Sequence, residues 1–423
     1  MNKLKTFKGA CLVAATAMLP LSQAAMAEVT ISGWANEAVT FYDDGSSSDA
    51  VQNNAGGNTL GTRLTFTASN EVATGLTAGF EVIIEPRHIG LDWGTLGVAD
   101  NEFGDPGFSV LSNNVHLAGA WGKITFGNQS MPTDNIAVLE DPSLTLWSGI
   151  SPVFIGNGVI LQNGGVANAV GSVFGDFLNC LTAPGLRGNV GIGLDCNGVY
   201  RRGVRYDLPA FGPVSIAIGY ANDDIYDISG KWKGSLGRMK ASIALGYAIN
   251  QGPVDELATA GASDFINTVA GALYDEAENF QVQAGLMDPE TGLFGSIAYQ
   301  SEDADLTATG IASGMDDDTD AWWLKIGIKK QWFSLGDTSI AFDYGQYNDQ
   351  FGSVEGLAGV TGSEVERLGF SIDQYFGSSL IIYGKWEQLD LDVDISVLSP
   401  VTSAEFAGAD ELDTFTLGAV YFF

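Results

Sequence analysis

Fixed positive charge facing fixed negative charge is the chemistry this sequence offers most clearly. Arg201, Gly203, Arg205 and Asp207 alternate with Tyr200, Val204, Tyr206 and Leu208, so in an extended chain both arginines lie on the polar face. Arg63 has the same parity on its own alternating stretch. Opposing acids come from one segment, Ser130–Gly198, which carries Asp134, Glu140, Asp141 and Asp176 among glycines and apolar residues such as Trp147, Phe154, Ile155, Val159, Ile160, Phe174 and Phe177. Cations and carboxylates held across a water-filled gap sort ions by their field. Lys325, Lys329 and Lys385 fall on the polar face of later segments and add to that inventory.

Other chemistries find little support. There are two histidines, His88 and His116, neither in a catalytic pattern nor beside a cysteine cluster, so a zinc site or a histidine-dependent hydrolase is poorly served. Asp316, Asp317, Asp318 and Asp320 are oxygen ligands of the kind Ca²⁺ takes, although such a run is ordinarily a solvated surface, and no cofactor is expected.

Met1–Ala27 begins with Lys3, Lys5 and Lys8, continues through an apolar run from Ala10 to Leu21 and ends on Ala25-Met26-Ala27, the pattern of a secretory signal. Its removal takes three lysines and moves the formal charge from −32 to −35, which leaves nucleic acid without the basic residues it needs from a partner. Cys11 leaves with the signal. Cys180 and Cys196 then remain in an oxidising compartment, where a disulfide is favoured over two buried thiols and contributes about 3 kcal/mol by closing the loop.

The elements that must position these charges repeat with a period of two. In Leu76–Arg87, Leu76, Ala78, Phe80, Val82 and Ile84 share one face and Thr77, Gly79, Glu81 and Glu85 the other. Sixteen such segments can be marked: Glu28–Tyr42, Leu60–Ser69, Leu76–Arg87, Ser109–Gly119, Gly122–Gln129, Val199–Leu208, Val214–Asn222, Tyr226–Ser235, Met239–Asn250, Glu278–Met287, Leu293–Glu302, Asp320–Phe333, Thr338–Asn348, Ser363–Tyr375, Ser379–Leu391 and Glu411–Phe423. Short turns fall at one end and long loops at the other, which predicts an all-β, 16-stranded antiparallel transmembrane β-barrel over residues 28–423. A barrel of that size encloses water instead of packing its interior. Trp322 and Trp332 bracket Leu324, Ile326, Ile328 and Lys330 on one face, and about ten residues at ~3.3 Å each, tilted roughly 40°, give the ~25 Å height of a lipid-facing band with aromatic borders. Ser130–Gly198 breaks the repeat and is expected to fold inward and narrow the lumen.

Three stretches resemble the general trimeric porins of Gram-negative outer membranes. Thr62-Arg63-Leu64-Thr65-Phe66 followed by Gly75-Leu76-Thr77-Ala78 is similar to the family's second and third strands, Gly122-Lys123-Ile124-Thr125-Phe126-Gly127 to the strand entering loop 3, and Arg205-Tyr206-Asp207-Leu208-Pro209 to its sixth strand. The terminal Phe423 resembles the family's assembly signal, whereas Asn128 and the length of loop 3 depart from the pattern. The resemblance implies a homotrimer in the bacterial outer membrane, contacting lipid and lipopolysaccharide, with loop 3 facing wall arginines. The expected function is passive diffusion of ions and small hydrophilic solutes, with the loop and overall acids outweighing Arg63, Arg201 and Arg205 to favour cations. A substrate-specific channel and an outer-membrane hydrolase are the alternatives. Small residues such as Gly219 and Gly246 are expected to let barrel walls pack closely.

Overall fold

The computed structural model describes residues 27–45, 48–54, 60–87, 107–154, 159, 161–163, 166–167, 173–178, 180, 193–196, 200–222, 224–251, 274–308, 311, 316–350, 360–395 and 411–423. Residues 1–26 with Cys11, and His88, Ile155, Ile160 and Gly198, lie outside these residues.

Alternation in the sequence becomes strands β1 (Thr30–Asp43), β2 (Ser48–Asn54), β3 (Arg63–Ala73), β4 (Leu76–Arg87), β5 (Gly107–Gly119) and β6 (Gly122–Ser130). The loop after β6 contains two-residue strands β7 (Gln162–Asn163) and β8 (Val166–Ala167) and a 3-10 turn, Phe174–Phe177. The wall resumes with β9 (Tyr200–Asp207), β10 (Val214–Ala221), β11 (Ile225–Leu236), β12 (Met239–Asn250), β13 (Tyr274–Met287), β14 (Leu293–Leu306) and β15 (Asp318–Phe333). It finishes with β16 (Gly336–Asn348), β17 (Val360–Phe376), β18 (Leu380–Ile395) and β19 (Leu412–Phe422).

Consecutive wall strands pair antiparallel, and the sheet closes where Trp34–Asp43 of β1 meet Asp413–Phe422 of β19 while Thr30–Trp34 meet β3. Gly33 and Phe423 exchange backbone hydrogen bonds of 3.1 and 3.2 Å at that seam. The result is a closed 16-stranded antiparallel barrel. Closure satisfies every edge, which a structure surrounded by lipid requires.

The packing is inverted relative to a water-soluble protein. On β15, Leu324 and Ile326 are 38% and 55% exposed toward the outside, whereas Trp323 and Lys325 point in and are 1% and 0% exposed. The face carrying Trp322, Leu324, Ile326 and Trp332 is therefore the outer one, as the alternation predicts.

Two features differ from the sequence reading. β2 forms a short hairpin against Glu37–Asp43 of β1, between the marked segments Glu28–Tyr42 and Leu60–Ser69. Several strands also run farther outward than expected, β14 to Leu306 and β18 to Ile395. On these extensions the outward positions are carboxylates, Asp303 and Asp305 on β14 and Asp392 and Asp394 on β18, all exposed. Above the lipid both faces meet water, so the hydrophobic period disappears while the hydrogen-bonded ladder continues.

Phe423 has its side chain outside, 50% exposed, and its backbone in the seam. Deleting it is expected to lower the amount of assembled barrel in the membrane more than it lowers the stability of barrels already formed. Wild-type membrane levels of the truncated chain, by quantitative blotting, would refute this.

Candidate pore constriction

The described residues of the segment that follows β6 lie inside the barrel, laid along the inner wall like a belt. Three wall glycines make room for it. A Cβ on Gly219 would sit 2.7 Å from Met131 and Pro132, one on Gly246 would sit 2.9 Å from Ile136, and one on Gly285 would sit 2.4 Å from Pro142. Gly219 and Gly246 thus face the lumen and hold the loop, and do not mediate wall-to-wall contact as the sequence reading expected. Alternation alone gave no sign of which face of these strands was the occupied one.

Polar side chains of successive strands fasten the belt. Asp227 of β11 accepts from the Thr133 amide and hydroxyl at 2.9 and 2.8 Å. Gln283 of β13 accepts from the Glu140 amide at 2.5 Å, and Ser242 of β12 donates to the Glu140 carbonyl at 3.0 Å. Lys325 of β15 pairs with Asp141 at 2.5 Å and donates to the carbonyls of Thr145 and Gly149 at 3.2 and 2.9 Å. Lys329 donates to Ser143 O at 2.8 Å, and Ser148 donates to Asp373 of β17 at 2.7 Å. Arg367 of β17 directs Nη1 at the carbonyls of Ile150, Ser151 and Pro152, at 2.7, 3.4 and 3.1 Å, while Nη2 and Nε pair with Asp343 at 3.1 Å and Glu387 at 3.0 Å. Lys385 completes this buried network through Glu387. At the far end Trp147 stands edge-on between Trp34 of β1 and Phe422 of β19, each ring 5.4 Å away.

Farther along the loop, the described residues include an apolar set. Val153, Val159, Leu161, Phe174, Phe177, Leu178 and Leu194 form one buried cluster with Trp323, Tyr347, Val365, Leu389 and Leu391 of the wall. Cys180 and Cys196 are bonded, with Cα atoms 5.4 Å apart, and Gln300 of β14 donates to Gly193 O at 3.1 Å beside them.

The candidate charges separate into two groups. Arg63 pairs with Glu85 at 2.5 Å and lies over the Trp34 ring at 5.5 Å, and Arg205 pairs with Asp207 at 2.8 Å while donating to Ser130 O at 3.1 Å. Arg201 is half-buried on the same strand, opposite Gln129 of β6. Of the loop acids, Glu140 and Asp141 are 1% and 2% exposed; Glu140 meets Lys233 at 3.0 Å and Lys231 at 3.9 Å. Asp176 is buried and caps its own turn by accepting from the Val173 amide at 3.0 Å. Asp134 is buried at the loop root, where burial raises its carboxyl above the usual range against the pull of nearby Arg63, Lys231 and Arg205. Asp195, which the sequence reading did not single out, accepts from the Asn135 amide at 3.1 Å, and burial together with the Asp134 charge pushes it up to about 8.

At the loop root, the inner face of β1, β3, β4, β5, β6 and β9 borders an open-mouthed cavity of about 590 Å³. Its rim includes Lys123, whose side chain is 47% exposed, and Arg205, 24% exposed.

Comparison with known proteins gives this closed barrel a family. Residues 10–394 match the Gram-negative porin family. No curated protein sequence matches the chain. Among solved structures, an anion-selective porin from Comamonas acidovorans is similar at 16% identity and TM-score 0.54, covering 94% of this chain and 100% of that one. Outer-membrane-expressed OmpT of Vibrio cholerae aligns at 12% identity and TM-score 0.51, covering 94% and 98%. Salmonella typhi OmpF, in its complex with daunomycin, aligns at 12% identity and TM-score 0.50, with the same coverage. At these identities the structural matches carry the fold alone, and the sequence match over most of the chain carries the family: this protein belongs to the Gram-negative porins.

Proposed function

We propose that this outer-membrane porin is a passive channel for ions and small hydrophilic solutes, which pass between the inward loop and the arc formed by β3, β4, β5, β6 and β9. The observation that carries this reading is the asymmetry of the interior: β10 to β19 and β1 are engaged by the loop, whereas the opposite arc keeps partly exposed charged side chains around the cavity. Conductance across planar bilayers that scales with bulk salt would support it, and purified protein that never conducts would overturn it.

The channel is cation-selective in this reading, supported by 51 acidic against 19 basic residues and a low-dielectric wall that focuses their field. Selectivity then weakens as salt rises, since screening acts over about 8 Å at physiological ionic strength. One observation favours the opposite preference: Lys123 and Lys233 of the wall are 47% and 63% exposed while Glu140 is 1% exposed. The reversal potential in a low-salt gradient decides between the two, and its sign is expected to be that of a cation channel.

Assembly is a homotrimer surrounded by lipid and lipopolysaccharide, a reading supported by family membership. Native mass analysis in mild detergent is expected to show the trimer, and monomers alone at micromolar concentration would exclude it. Passive diffusion needs no resident cofactor. Asp316, Asp317 and Asp318, whose carboxylates come within 4.8 Å of one another, are where Ca²⁺ would bind on the outer side.

A further inference from the structure

The cavity at the loop root has a direction built into its lining. Hydrogen-bonded register puts Thr30, Thr67, Glu81 and Asn114 in one row across β1, β3, β4 and β5. A second row, Ser69, Gly79, His116, Thr125 and Arg205, crosses β3, β4, β5, β6 and β9. Gly79 has no side chain where the His116 ring lies, since a Cβ there would be 2.6 Å from that ring.

Charge is divided along these rows. Toward β6 and β9, Lys123 and Arg205 both pair with the carboxylate of Asp207, at 3.5 and 2.8 Å, and Lys123 keeps 47% of its side chain exposed. Toward β4, Glu81 accepts from Ser112 at 3.0 Å and Asn114 at 3.1 Å, and among the described residues it has no cationic partner in an ion pair. Between the two ends Thr125 is 5% exposed, lines the cavity and has a hydroxyl without a hydrogen-bond partner. A buried hydroxyl left unmatched is unfavourable unless a bound molecule or water completes it.

We propose that this cavity binds short zwitterionic peptides, with the peptide carboxylate at Lys123 and Arg205, the amino terminus at Glu81 and a peptide group at Thr125. Length selects the ligand. Lys123 pairs with Ala118, and Ala118 with Thr77, so Lys123 stands two strands across from Glu81 and four residues along; at about 4.8 Å per strand and about 3.3 Å per residue their Cα positions are roughly 16 Å apart, and the two long side chains narrow the gap between the charges. An extended chain spans about 3.3–3.6 Å per residue, so three residues, about 10 Å long, reach toward both charges at once and a single amino acid does not. Volume agrees, because about 590 Å³ lies within the range of small-ligand pockets. This inference rests on the channel reading and names a solute class for it.

The test is current through reconstituted channels with triglycine added on the side of the short turns. Triglycine is expected to reduce conductance saturably, with half-saturation about tenfold lower than for N-acetyltriglycine, triglycinamide or glycine, each of which forfeits one charge-assisted contact. Glu81→Gln is expected to erase the preference of triglycine over N-acetyltriglycine, and Lys123→Met its preference over triglycinamide. Equal block by N-acetyltriglycine in the wild type would make this an anion site and overturn the proposal. Full conductance without saturable block by triglycine would overturn it too while leaving the channel reading intact, whereas protein that does not conduct fails the channel reading first.

Discussion

Replacing Arg367 by leucine is expected to release the inward loop, raising single-channel conductance and lowering the thermal midpoint together. The guanidinium is 1% exposed and holds three loop carbonyls, Ile150, Ser151 and Pro152, while neutralising Asp343 and Glu387. Leucine fills part of the volume, satisfies none of those oxygens and leaves Glu387 with Lys385 and Asp343 with the Trp323 indole. Breaking a buried ion pair by removing one partner typically costs about 3–5 kcal/mol. Much of that loss is avoided if the loop swings away and water enters, which is why conductance should move with stability. Wild-type conductance with an unchanged midpoint would show that the loop is held elsewhere.

Acid is expected to have a related effect through Asp141. Burial alone would raise this carboxyl, but Lys325 at 2.5 Å, with the Ser143 hydroxyl and amide, holds it below the usual carboxylate range. A carboxyl with a depressed value in the folded protein contributes stability that is complete above its unfolded value, about 4, and is lost as pH falls through the folded value. The loop should therefore stay fastened at neutral pH and loosen only below about pH 4. Asp141→Asn is expected to reproduce the acid state at neutral pH, with higher conductance and a flat response to acid. A variant that keeps the wild-type acid transition would assign that transition to another group.

Much of this architecture could be read from residue order, and the physical reason is the lipid. Where Leu324, Ile326 and Trp332 must meet hydrocarbon and Trp323 and Lys325 must not, the period of two is enforced residue by residue. Outside the lipid that enforcement ends, so the extensions carrying Asp303 and Asp392 were not legible as strand, nor was the β2 hairpin in a Gly- and Asn-rich stretch. The candidate site was legible as an inventory and less so as an arrangement. Parity places Lys325 and Lys385 inside, but not which of them meets Asp141, because partners 184 or more residues apart are chosen by the loop's path. The usable signal was the set of lumen-facing glycines at 219, 246 and 285, which marks that path once the inward face is known.

The sandwich of Trp147 between Trp34 and Phe422 has a bearing on how the chain reaches this state. Its outer members come from the first and last wall strands, which meet only after all the intervening hairpins have paired. Local hairpins can form early, but a contact between the two ends of the chain carries the largest loop-closure entropy and comes late. Trp147 has no complete slot until that moment. Docking of the loop tip is thus a consequence of barrel closure, and the fluorescence of this indole during refolding into lipid would time the last step of assembly separately from the growth of β structure.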